Sequence, residues 1–135
     1  MFDRIFSSGP SVLVVDDEIT TRATLKARLG KKDGYTVFEA ENGAEALELA
    51  LSKTPDVIVL DWKMPDISGI DVLRELRSHG DTKDIPVLML TSKNLVSDVE
   101  LAFEMGALEY LSKPLDLDLI SRKVKAYLQP EDIAV

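Results

Sequence analysis

A chain of 135 residues suits one domain built on one hydrophobic core and is too short for two independent ones. With 16 Lys and Arg against 24 Asp and Glu, its net charge of −8 repels nucleic-acid phosphates and argues against direct DNA or RNA binding. The absence of cysteine excludes disulfides, thiol chemistry and thiolate metal sites, and no apolar run nears the roughly 20 residues of a membrane span.

Residues 1–10 lack the continuous apolar core of a secretory signal and read as an N-terminal extension of a cytoplasmic protein. The first strand is predicted at Val12-Leu13-Val14-Val15, followed by a helix in which Ile19, Ala23 and Ala27 share a face. A weaker strand, Thr36–Ala40, follows Gly34-Tyr35, and Ala44, Leu47, Ala50 and Leu51 mark the next helix. Val57-Ile58-Val59-Leu60 is the third strand, with Ile70, Leu73 and Leu76 on the helix behind it. Val87-Leu88-Met89-Leu90 is the fourth, followed by Val96, Val99, Ala102 and Phe103 at helical spacing. Residues 108–111 form the fifth, and Leu117, Ile120, Val124, Tyr127 and Leu128 the last helix. Continuous apolar runs are expected of strands buried on both faces, and β-then-α repeated along the chain implies a parallel sheet covered by helices on both sides. The domain is expected to occupy residues 11–128, with 129–135 a C-terminal tail or the start of a linker that opens on Gln129-Pro130.

In open α/β sheets, ligands bind beyond the carboxyl ends of the strands. There this chain carries Asp16, Asp17 and Glu18 after strand one, Asp61 after strand three, Thr91 and Ser92 after strand four, and Lys113-Pro114 after strand five. Clustered carboxylates repel one another unless a proton or cation offsets their charge, and an oxygen-only set favours a hard divalent ion such as Mg²⁺. A carboxylate beside such an ion, with a lysine and a hydroxyl at hand, is suited to accepting a phosphoryl group.

Taken together, the acidic pair Asp16-Asp17, Asp61 followed by Met64-Pro65 and Gly69, then Thr91, Tyr110 and Lys113-Pro114 resemble the receiver domain of two-component response regulators over nearly the whole chain. The resemblance implies a flavodoxin-like (βα)5 fold of strand order 2-1-3-4-5, in which strands one and three are neighbours. It also implies that Asp61 is the phosphoacceptor, that Asp16, Asp17, Asp61 and the backbone carbonyl of Lys63 hold Mg²⁺, and that Lys113 binds the phosphoryl oxygens. Thr91 would move toward the phosphoryl group and Tyr110 rotate inward, altering the face of helix four, strand five and helix five. Ser92 adds a hydroxyl beside Thr91, Lys63 and Lys93 stand where phosphoryl lifetime is tuned, and the Lys113-Pro114 bond is expected to be cis.

The implied donor is a phosphohistidine on a sensor histidine kinase or histidine phosphotransfer protein. The implied output is a downstream protein target or a fused output domain, with phosphorylation-dependent homodimerisation a further expectation. Three alternatives are separable. A Mg²⁺-dependent phosphatase with Asp61 as nucleophile needs a second carboxylate two residues on, where this chain has Lys63. A flavin module needs a hydroxyl- and glycine-rich loop after strand one, where this chain has carboxylates. A phosphorylation-independent pseudo-receiver would dispense with the set that is present here. Trp62 reads as packing or a surface feature, and His79 as a surface residue or helix-end charge.

Overall fold

A computed structural model describes residues 9–92 and 95–129. Five strands, β1 (Ser11–Val15), β2 (Thr36–Ala40), β3 (Val57–Leu60), β4 (Val87–Thr91) and β5 (Glu109–Ser112), pair in parallel in the order β2-β1-β3-β4-β5. Five helices alternate with them: α1 (Ile19–Leu25), α2 (Gly43–Lys53), α3 (Gly69–Ser78), α4 (Val96–Glu104) and α5 (Leu117–Leu128). The parallel sheet covered on both faces is that expected from the β–α alternation, and the strand order is the one the resemblance implies. Among the described residues, no helix is long and apolar enough to cross a membrane.

Strand side chains alternate between two faces, and both faces are dry. Leu13, Val15, Ile58, Leu60 and Met89 join Ala46, Ala50, Ile70, Leu73 and Leu76 in one core layer, under α2 and α3. Val12, Val14, Val57, Val59, Leu88 and Leu90 join Leu25, Leu29, Ile120 and Val124 in the other, under α1 and α5. The continuous apolar runs are thus the sum of two interleaved faces.

Two helices turn differently from their predicted stripes. Ile19 is 69% exposed, and Ala23 and Ala27 are exposed too, while Leu25 and Leu29 are the buried residues of that segment. Beyond Leu25 the chain continues as a π-helical stretch, Lys26–Lys32, with the Asp33 amide donating to the Arg28 carbonyl at 3.0 Å. A wider turn is the kind of change that breaks a spacing rule based on 3.6 residues. In α4, Val96 (74%) and Phe103 (47%) lie exposed and Ala102 faces the core.

Arginine fastens the far end of the sheet. Arg77, at the end of α3, donates to the carbonyls of Ile85 (2.9 Å), Lys83 (3.0 Å) and Gly106 (2.8 Å), binding the approach to β4 to the turn before β5. Gly106 has φ +106, in the left-handed region.

A carboxylate fastens the loop between β3 and α3. Asp66 accepts from the amides of Gly43 and Ala44, each at 2.8 Å, at the N-terminus of α2, where unsatisfied N–H groups favour an anion. Those hydrogen bonds hold its carboxyl below the usual range. A lowered folded pKa means that the contribution to stability is complete above the unfolded value and is lost as pH falls through the folded one. Asp66→Asn should therefore melt below wild type near neutral pH, with the gap narrowing as both are acidified through the carboxylate range. Thermal unfolding across that range checks this, and a pH-independent gap would remove the carboxylate's charge from the account.

Candidate functional site

The β2-β1-β3-β4-β5 order reverses beside β1, and the polar residues gather at the carboxyl ends of β1, β3, β4 and β5. Asp16 follows β1 directly, and its amide continues the ladder by donating to the Ala40 carbonyl at 3.1 Å. Asp61 follows β3, and its amide donates to the Val15 carbonyl at 3.0 Å. Backbone pairing between neighbouring strands therefore sets the two carboxylates side by side. Both are buried, Asp16 at 2% exposure and Asp61 at 5%, whereas Asp17 faces solvent.

One oxygen of each of Asp16, Asp17 and Asp61 lies within 4.8 Å of the others. An all-carboxylate set of this span, buried on one side and open on the other, fits a hard divalent cation that keeps part of its water shell. The chain already supplies one cation there. Lys113 Nζ lies 2.8 Å from Asp16 Oδ2, 3.3 Å from Asp61 Oδ2 and 3.4 Å from Glu18 Oε1.

Burial, followed by the neighbouring Asp16 charge, pushes the Asp61 carboxyl above its ordinary pKa, against the pull of Lys113 and a hydrogen bond from Thr91. Burial works to lower the Lys113 pKa, but its hydrogen bond to Asp16 and the charges of Asp61 and Asp16 outweigh that and raise it, so it stays an ammonium. Asp16, Asp17, Glu18 and Asp61 thus share one ammonium, more acidic groups than a single lysine neutralises, as a cation-binding pocket should have.

Thr91 is fully buried at the end of β4, and its carbonyl accepts from the Lys113 amide at 3.0 Å. The Lys113-Pro114 peptide is cis. A cleft of about 430 Å³ opens over the carboxylates, lined by Asp17, Glu18, Lys63, Met64, Ser92 and Lys113 among others. Tyr110 stands on β5, half-buried against the α2–α3 core layer, where burial and the charges of Asp98 and Asp61 raise its phenol. Lys93 lies outside the described residues.

Several residues shaping the site were not singled out in the sequence as site residues. Glu18, in the sequence one more member of the acidic run, reaches Lys113 at 3.4 Å, and its adjacency to the acidic pair is the signal for it. Gly69, noted as a motif element, opens α3 with its amide 2.6 Å from the Trp62 carbonyl, and a β-carbon there would overlap the Asp61 carbonyl oxygen. Arg22 donates to the Asp16 carbonyl at 2.8 Å. Trp62, at 8% exposure, belongs to the core, and His79 sits at the C-terminus of α3, 3.4 Å from Glu75.

Residues 12–125 match the response regulator receiver domain. Response regulator MprA of Mycobacterium bovis is 41% identical over 126 residues, 91% of this chain and 54% of that protein. Response regulator MprA of Mycobacterium ulcerans is 42% identical over 118 residues, 87% of this chain and 50% of that protein. The chain thus spans about half the length of the curated relatives it matches. A putative response regulator from Chloroflexus aurantiacus superposes with a TM-score of 0.83 at 35% identity, covering 89% of this chain and 98% of that one. Chemotaxis protein CheY4 of Vibrio cholerae gives 0.83 at 31% identity, covering 89% and 99%.

Proposed function

The chain belongs to the response regulator receiver domain family, a family of signalling modules, and from that we propose that Asp61 is the residue that carries the phosphoryl group. The observation that carries this reading is the pairing of Asp61, buried beside two further carboxylates, with a lysine ammonium 3.3 Å away and a buried Thr91 hydroxyl. Asp61 offers a carboxylate oxygen to the phosphorus of a phosphohistidine. The new O–P bond forms as the P–N bond breaks, and the imidazole nitrogen keeps the electron pair. Lys113 faces the transferred oxygens, which carry the developing charge. Asp16, Asp17, Asp61 and the Lys63 carbonyl are the groups that would hold Mg²⁺, whose part when bound is to neutralise charge on those oxygens.

Thr91 and Tyr110 are then the switch pair, with Ser92 at the cleft mouth, and residues 11–128 the working unit. Leu95 (67%), Val96 (74%), Phe103 (47%) and Leu108 (46%) leave apolar surface exposed around α4 and the start of β5, which favours that face for a downstream target, a fused output domain or a second copy. The donor is a sensor histidine kinase or histidine phosphotransfer protein, and the chain works in the cytoplasm without touching nucleic acid itself. Its chemistry is confined to its own phosphorylation and dephosphorylation. Lys63, exposed on the cleft wall, is the described residue that tunes the lifetime of the phosphoryl group; Lys93 is assigned the same role from sequence.

The test is incubation with a small-molecule phosphodonor, with and without Mg²⁺, and peptide mapping by mass spectrometry. One phosphoryl group on Asp61 that requires Mg²⁺ is the expected result. Steady turnover of phosphate esters without a stable adduct would favour a phosphatase, and no modification under any donor a partner-binding pseudo-receiver.

A further inference from the structure

Within the turn that carries the acidic pair, the Glu18 amide donates to Asp16 Oδ1 at 2.9 Å. Asp17 is exposed, and Asp16 is followed by only the short helix α1. The Asp16 backbone is also tied to the edge strand β2 twice. The Asp16 amide donates to the Ala40 carbonyl at 3.1 Å. The Asp16 carbonyl accepts from Arg22 Nη1 at 2.8 Å, and the same guanidinium reaches Glu39 of β2 through Nε at 3.3 Å and Glu41 through Nη2 at 4.0 Å. The Arg22 side chain is 11% exposed, and Lys26 Nζ supports Glu39 from the other side at 3.5 Å.

Because the peptide group is planar, fixing the Asp16 carbonyl also fixes the Asp17 amide and the α-carbon from which the Asp17 side chain departs. The planar guanidinium presents its donors at fixed angles, so it holds a carbonyl and a carboxylate on different elements in one set geometry, which a lysine's single flexible ammonium does not. We propose that Arg22 is a positioning residue for the metal site, holding the Asp16–Asp17 peptide against β2 so that the carboxylates are preset for Mg²⁺. The inference rests on the Mg²⁺ reading of the site given above.

Charge and position predict opposite signs here. Arg22 is a cation near an acidic pocket, so by charge alone its removal should tighten Mg²⁺ binding. Loss of an outer partner that orients a ligand instead weakens metal binding, by about 10- to 100-fold.

The experiment titrates Mg²⁺ into the wild-type chain, Arg22→Gln, Arg22→Lys and Glu39→Gln, following Trp62 fluorescence and, independently, the rise in melting temperature with Mg²⁺. Arg22→Gln is expected to bind about 10-fold more weakly. Arg22→Lys, with the charge kept and the fork lost, should also weaken binding, and Glu39→Gln should do so more mildly. If Arg22→Gln does not fold, Arg22→Lys decides. Unchanged or tighter binding in the Arg22 variants, with only a lower melting temperature, overturns the inference and leaves the Mg²⁺ reading intact. A wild type that does not respond to Mg²⁺ by either readout overturns both.

Discussion

Replacing Lys113 with Met should slow phosphoryl acceptance at Asp61 by about 10²- to 10³-fold, the usual loss when one donor to a developing anion is removed, while tightening Mg²⁺ binding. The two effects part because Lys113 does two things. In the proposed reaction it faces the transferred oxygens; in the resting protein it is the ammonium shared by Asp16 and Asp61, whose side chains are only 3% and 6% exposed. Without it, buried carboxylates face each other with no cation, and breaking a buried ion pair on one side costs about 3–5 kcal/mol. The loss here belongs at the low end, about 3 kcal/mol, because the Lys113 side chain keeps 18% exposure and Asp61, with its raised pKa, is ready to take up a proton. A divalent ion replaces the missing charge, so Mg²⁺ should bind more tightly and restore much of the stability. Melting in chelator and in Mg²⁺, with the rate of adduct formation on Asp61, checks both halves. An equal stability loss with and without Mg²⁺, or an unchanged acceptance rate, would separate Lys113 from the chemistry.

What the sequence made legible was governed by how local each signal is. The strands were readable because both sheet faces are dry, so Val12-Leu13-Val14-Val15 needs no partner to be recognised as buried. The site was readable because strand ends are where α/β folds place function, and Asp16, Asp61, Thr91 and Lys113 each sit one or two residues past an apolar run. The buried face of α1 was not readable. Ile19, Ala23 and Ala27 satisfy a helical period as well as Leu25 and Leu29 do, and the choice between them depends on α5 and the π-helical stretch at Lys26–Lys32. The fasteners were equally hidden. Arg22 meets Glu39 across 17 residues, Asp66 meets Gly43 across 23, and Arg77 meets Gly106 across 29. Nothing in a charged residue's neighbours along the chain reveals which backbone groups it will bind after folding.

Gly69→Ala should be far more damaging than its single added carbon suggests. That carbon would overlap the Asp61 carbonyl oxygen and fall 2.8 Å from the Trp62 α-carbon and 2.9 Å from the Asp61 carbonyl carbon, so the atoms nearest to it are all backbone. Overpacking of a tight interior typically costs about 1–3 kcal/mol, and with no side chain free to turn away the upper end applies. The chain can relieve the overlap only by moving α3 or the end of β3, and the residue displaced with β3 is Asp61 itself. A shift of about 1 Å in a reacting group is enough to lower a rate about 100-fold, so adduct formation should fall by that order even where the variant stays folded. Gly43→Ala is the control. Its added carbon would overlap Ile67, a side chain that can change rotamer, with Val72 Cγ2 at 3.1 Å. That variant should lose less stability and accept phosphoryl groups at the wild-type rate. Melting temperature and Asp61 adduct formation, measured on both variants, separate the cases. If Gly69→Ala proves no worse than Gly43→Ala on either measure, the close approach of α3 is not what holds Asp61 in place, and its position must rest on the β1–β3 ladder alone.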